Sequence, residues 1–123
     1  MIRASFSFDR EEGWIALRVQ GHAGFAQLGQ DPVCAGASVL AFTAAQCLKD
    51  MESQGKLRKK LHLVARSGRM LLVAKPRAER FDEALHVLYM AETGMRLLAE
   101  SWPEHVTVEP FDREETLTKE KEV

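Results

Sequence analysis

The chain has 123 residues, 46% hydrophobic and 28% charged, with 17 Lys and Arg against 18 Asp and Glu. That is enough chain for one domain with a real core, and a net charge of −1 gives no general attraction to nucleic acid or anionic membranes. No run approaches the ~18 apolar residues of a membrane span, the alternating start is no signal peptide, and two cysteines do not make a disulfide scaffold.

Ile2, Ala4, Phe6 and Phe8 alternate with Arg3, Ser5, Ser7 and Asp9, the pattern of a strand with one buried face. After the polar turn to Gly13, Ile15, Leu17 and Val19 alternate in the same way, so the two read as a hairpin. Residues 21–30 form a loop with three glycines, Gly21, Gly24 and Gly29, and two apolar residues, Phe25 and Leu28. These two either pack on their own domain, as loop apolar groups usually do, or touch an apolar substrate.

A helix is expected from about Pro32 to Ser53, with Val33, Ala37, Leu40, Ala41, Ala44, Leu48 and Met51 as its buried stripe. Gln54-Gly55 ends it. A basic cluster, Lys56 to Lys60, leads into Leu61, Leu63 and Ala65. Beyond the Ser67-Gly68 turn, Met70 to Ala74 is apolar throughout, as in a strand buried on both faces. A second helix is expected from about Ala78 to Ser101, with Gly94 inside it marking a kink or a close contact. A short strand at Val106 and Val108 follows, and 112–123 reads as a solvated, disordered tail with eight charged residues in twelve. The order ββαββαβ predicts an α+β fold: a mixed, mostly antiparallel sheet with two helices packed on it.

The chemistry gathers at residues 21–47. His22 and Cys34 stand twelve positions apart at the two ends of the loop, and a histidine and a cysteine can form a general base and a nucleophile if the fold joins them. Asp31 is a good N-cap and Pro32 suits the first helical position, which places Cys34 in the first turn. Backbone N–H groups and the helix dipole favour an anion there, and the thiolate is the reactive form of cysteine. The same N–H groups, that of Cys34 included, could receive an oxyanion. Ser38 lies one turn on, on the face of Cys34, and either bonds near the thiolate or back-bonds to its helix. Cys47 is expected as an inert core residue. Thirteen steps along one helix separate it from Cys34 by roughly 20 Å, too far for a disulfide. His22, Asp31 and Cys34 lack paired metal-ligand spacing, so neither a metal nor another cofactor is expected. His62, His86 and His105 carry no pattern and receive no role.

The motif Gly21-His22-Ala23, then Gly29-Gln30-Asp31-Pro32-Val33-Cys34-Ala35-Gly36-Ala37-Ser38, resembles the signature of the ribosomal-processing cysteine proteases (Prp). Length and element order fit along the whole chain. Pro32 departs from the aliphatic residue common there, but a proline at a helix start leaves the cysteine in place. The resemblance implies a single cysteine-protease domain over 1–111 that is cytoplasmic and homodimeric. It implies Cys34 as nucleophile and His22 as general base, with Asp31 and Ser38 in support. Gly21, Ala23, Gly24, Phe25, Leu28 and Gly29 would form the substrate loop. The implied activity removes a short N-terminal extension from a large-subunit ribosomal protein, cutting beside aromatic residues. Asp31 could hold the loop or orient His22 besides capping the helix.

The competing reading is a non-catalytic ribosome- or RNA-associated protein that uses Lys56 to Lys60. That cluster has no interleaved aromatics, which weakens single-strand binding. One expectation concerns the empty site. The loop from Ala23 to Gln30 should be loose or lie over the cleft, with His22 and Cys34 beyond hydrogen-bond reach until a substrate orders them. The alternative is a preformed pair with a rigid loop held by Phe25 and Leu28 in the core.

Overall fold

The computed structural model describes residues 1–27 and 29–109. Leu28 and the charged segment 112–123 lie outside the described residues. The elements run β1 (Ile2–Asp9), β2 (Trp14–Gln20), α1 (Pro32–Ser53), β3 (His62–Arg66), β4 (Arg69–Ala74), a 3₁₀ turn (Ala78–Arg80), α2 (Phe81–Ser101) and β5 (Val106–Glu109). The expected ββαββαβ order is therefore found. The second helix opens three residues later than expected, because Arg80, at φ −114° and ψ 5°, leaves the helical region and separates the 3₁₀ turn from α2.

The five strands lie in the order β3-β4-β2-β1-β5. β1 pairs β2, β2 pairs β4 and β3 pairs β4, all antiparallel, while β5 joins β1 in parallel. The registers carry the apolar alternation across the sheet. Phe6 stands opposite Leu17, Leu17 opposite Leu72, and Leu72 opposite Leu63. This row meets the stripe of α1 (Val33, Ala37, Ala41, Ala44, Leu48, Met51) and of α2 (Phe81, Leu85, Leu88, Met95) in one core. The other face of β2 and β4 buries a smaller cluster, Trp14, Ala16, Leu71 and Val73, which is why residues 70–74 carry no polar alternation.

The helices cross closely through two reciprocal glycine contacts. A methyl group at Gly36 would stand 3.4 Å from Leu98, and one at Gly94 would stand 2.3 Å from Leu40. Gly94 is thus a contact glycine that lets the backbones approach. One expectation is corrected here: by length and composition α1 does pass as a membrane-crossing segment. Its apolar character is accounted for by the stripe buried against the sheet and α2.

Candidate active site

β2 ends at Gln20, and the Gly21 N–H donates to the Gly68 carbonyl at 2.8 Å, tying the strand end to the turn between β3 and β4. His22 follows on the surface. Its ring lies on Gly68: a methyl group there would stand 2.8 Å from Nε2. Across from it α1 begins as the sequence predicts, with Asp31 as N-cap and Pro32 at the first position. That places Cys34 in the first turn, half-buried.

His22, Cys34, Ser38 and Gly21 line one cleft of about 430 Å³. Its apolar wall includes Ile2, Val19, Ala37, Phe42 and Met70, and the turn Ser67–Gly68 lines it as well. The fold thus brings the two ends of the loop to a single cavity. Among the described residues, no hydrogen bond joins His22 to Cys34 and none is made by the Ser38 hydroxyl, so neither role expected of Ser38 is seen here. The sequence-based reading did not find Phe42, Met70 and the Ser67–Gly68 turn, since they come from positions without any motif.

Asp31 does more than cap. Its Oδ1 accepts from the N–H groups of Val33 (2.9 Å) and Cys34 (3.1 Å), and its Oδ2 accepts from Phe25 (3.0 Å) and Ala26 (3.0 Å). The residue is 5% exposed. Burial alone would raise the pKa of its carboxyl, but the backbone N–H groups of Ala26, Cys34, Phe25 and Val33 outweigh that and hold it below its ordinary value. Of the two extra roles open to Asp31, the structure shows the first: it holds the loop, and no bond connects it to His22. This corrects one expectation. The Cys34 N–H is not free to receive an oxyanion, and the positive end of α1 already faces a carboxylate.

Among the loop's described residues from Ala23 to Gln30, none lines the cavity, and the loop reaches Cys34 through the Ala23 backbone. Ala23 is buried, and its N–H donates to Cys34 Sγ at 3.2 Å. Gly24 and Gly29 have open space beside them. Phe25 is 47% exposed, and its ring meets Trp102 edge-on at 6.1 Å and His105 at 5.4 Å. His105 also reaches the Ala23 carbonyl through Nδ1 at 2.8 Å, and since a carbonyl only accepts, that nitrogen carries the proton. The outcome falls between the two pictures drawn from sequence. The histidine and cysteine are apart, yet the loop is tied at Ala23, Phe25 and Ala26. Cys47, expected in the core, is exposed. It lies beside the stripe of Ala44, Ala45, Leu48 and Met51, about 100° around the helix from Leu48.

A loop-borne histidine and a helix-start cysteine that line one cleft are residue types that a thiol enzyme uses, here on a two-helix, five-strand α+β fold. The family described as cysteine protease Prp matches residues 1–107, and the chain belongs to that family of proteases. A Bacillus subtilis (strain 168) protein, ribosomal processing cysteine protease Prp, is 38% identical over 48 residues, 39% of this chain. The match spans less than half of that relative, 43% of its length. Among solved structures, the S. aureus essential ribosomal processing protease Prp in complex with a covalently linked product peptide superposes with a TM-score of 0.68 at 21% identity, over 90% of this chain and 100% of the other. The Streptococcus mutans protein SMU.848 gives a TM-score of 0.62 at 24% identity, over 90% and 94%. At these identities the structures establish a shared fold.

Proposed function

We propose that this protein is a cysteine endopeptidase, with Cys34 as nucleophile and His22 as general base, that trims a short N-terminal extension from a large-subunit ribosomal protein. The observation that carries this reading is the convergence of His22 and Cys34 on one cleft in a chain of the Prp family. The S. aureus Prp solved with a covalently linked product peptide, and again with a substrate peptide, supports a peptide as the ligand. The apolar wall of the cleft suits an apolar or aromatic side chain beside the scissile bond.

In the reaction, the exposed His22 ring swings from Gly68 toward the sulfur, a rotation open to a surface side chain on the ps–ns scale. It takes the Cys34 proton, the thiolate attacks the peptide carbonyl, and the resulting thioester is hydrolysed by water. A gap between the pair is compatible with this, because catalytic hydrogen bonds often tighten only around substrate. We place the activity in the cytoplasm, where ribosomal proteins are made. A homodimer is supported by the outward apolar side chains Val39, Met90 and Leu97 on the two helices, which are 65%, 72% and 59% exposed.

The RNA-binding alternative loses ground, since part of its basic cluster is engaged. Lys56 pairs with Glu83 at 2.8 Å, and the Arg58 guanidinium donates to the carbonyls of Glu12 and Gly13. Thiol chemistry discriminates the two readings. Cys47 is exposed and Cys34 only half so, so accessibility favours Cys47. Iodoacetamide at neutral pH should nevertheless label Cys34 faster, and His22→Ala should slow that labelling. Faster labelling of Cys47, or no effect of His22→Ala, would count against a catalytic pair.

A further inference from the structure

We infer that the backbone N–H of Ala23 is the donor that meets the oxyanion, and that His105 positions it; this rests on Cys34 being the nucleophile. An acyl-transfer site needs a donor where the carbonyl oxygen gains its charge. The first turn of α1 is the obvious source, and it is fully committed. Pro32 has no N–H. Val33 and Cys34 give theirs to Asp31 Oδ1, and Ala35 gives its own to the Asp31 carbonyl at 3.0 Å. The N–H that reaches the sulfur comes from the loop: Ala23, at 3.2 Å from Sγ. Ala23 is 2% exposed, so this donor is shielded from water, where a hydrogen bond is electrostatically stronger.

The Ala23 peptide is held from behind. The His105 ring donates to the Ala23 carbonyl and stacks edge-on with Phe25, whose ring also meets Trp102. His105 is itself fixed. Its carbonyl accepts from Ile2 N–H at 2.8 Å, and its N–H donates to Trp102 at 2.9 Å. A residue 82 positions from Ala23 therefore sets where that N–H points.

In the covalent step, Sγ bonds to the carbonyl carbon and the π pair of C=O moves onto oxygen. That oxygen comes to lie beside the sulfur, and the Ala23 N–H passes from sulfur to it as the charge passes. The interaction is therefore stronger in the transition state than before attack, which is the condition for raising kcat. When the intermediate collapses, C=O reforms, the C–N bond breaks, and the departing amine takes the proton held on His22.

The test compares two reactions of Cys34 in the full-length protein. Hydrolysis of p-nitrophenyl acetate passes through an oxyanion, while alkylation by iodoacetamide only displaces iodide. Replacing Ala23 with lactic acid puts an ester where the N–H was and keeps the methyl side chain. Ester hydrolysis should then fall by on the order of 10²-fold, the usual loss for one oxyanion donor. His105→Ala should lower it by about tenfold, one hydrogen bond's worth, and His105→Asn, whose amide can stand in for Nδ1–H, should restore most of the rate. Alkylation of Cys34 should stay within a few-fold of wild type in the two His105 variants; in the lactate variant, which also loses the resting bond to Sγ, it should fall by about tenfold, well short of the loss in ester hydrolysis. Unchanged ester hydrolysis in the lactate variant, parallel losses in both reactions, or no rescue by asparagine would overturn the proposal. The lactate variant decides even if His105→Ala does not fold. A wild-type Cys34 no faster than Cys47 would instead refute the nucleophile assignment.

Discussion

Alanine at Gly21 should cost far more stability than alanine at the two other loop glycines, although in sequence the three look alike. Gly21, Gly24 and Gly29 have φ of 92°, 69° and 88°, so alanine at each carries the left-handed strain of roughly 1–2 kcal/mol. Part of that, about 0.4–1 kcal/mol, is offset because alanine also narrows the unfolded ensemble. At Gly24 and Gly29 nothing lies within 4 Å of the added methyl, which leaves a net cost of about 1 kcal/mol. At Gly21 the methyl would stand 2.1 Å from the Met1 carbonyl oxygen. That oxygen cannot swing aside alone, because its peptide also carries the Ile2 N–H bonded to His105 at 2.8 Å. The main chain has to move, which adds roughly 1–3 kcal/mol, for a total near 2–4 kcal/mol. With roughly 4 °C of melting temperature per kcal/mol at this chain length, Gly21→Ala should melt some 8–16 °C lower than wild type and the other two about 4 °C lower. Circular-dichroism melts of the three variants measure this. Equal shifts at Gly21 and Gly24 would refute the idea that this strand end is wedged against the first residues of β1.

Cys34→Ser and His22→Ala should each remove nearly all peptide cleavage, and the double variant should be little worse than either, because nucleophile and base act as one unit; additive losses in single-turnover kinetics would give His22 a separate role. The folded-state pKa of Asp31 lies below its unfolded value, so its contribution to stability is complete above the unfolded pKa and vanishes as pH falls through the folded one. The melting-temperature gap between wild type and Asp31→Ala should therefore be wide at neutral pH and close in acid; a gap constant with pH would mean that the carboxylate charge plays no part. Gly94→Ala gains up to about 1 kcal/mol of helix propensity but drives a methyl into Leu40, so it should be neutral or destabilising in wild type. In a Leu40→Ala background it should be stabilising, and urea titrations of that cycle report the coupling, typically 0.5–3 kcal/mol for touching residues.

The fold was largely legible because its signals are local. Strict alternation marks β1 and β2, the unbroken apolar run marks β4, and Asp31-Pro32 marks the start of α1 where the structure has it. The position of Cys34 at the cleft followed from that cap. What stayed hidden depends on tertiary contacts. The N-cap assignment of Asp31 was right, but nothing in the chain announces that its second oxygen also takes two N–H groups from the loop. Ala23 read only as part of the motif and of the implied substrate loop, and His105 carried no pattern; the two meet because the parallel pairing of β5 with β1 brings the residues before β5 back to the loop. Cys47 was misplaced for a different reason. A free cysteine is a common core residue, but the stripe passes one residue to its side.

The central claim, that Cys34 and His22 make this chain a processing endopeptidase, is tested most directly on its proposed substrate. The protein is incubated with the host's large-subunit ribosomal proteins, and their N-termini are read by intact-mass and peptide mass spectrometry. One of them should appear shortened by a short peptide cut beside an aromatic residue, with wild type and not with Cys34→Ala. No shortened N-terminus, or the same product with Cys34→Ala, would contradict it.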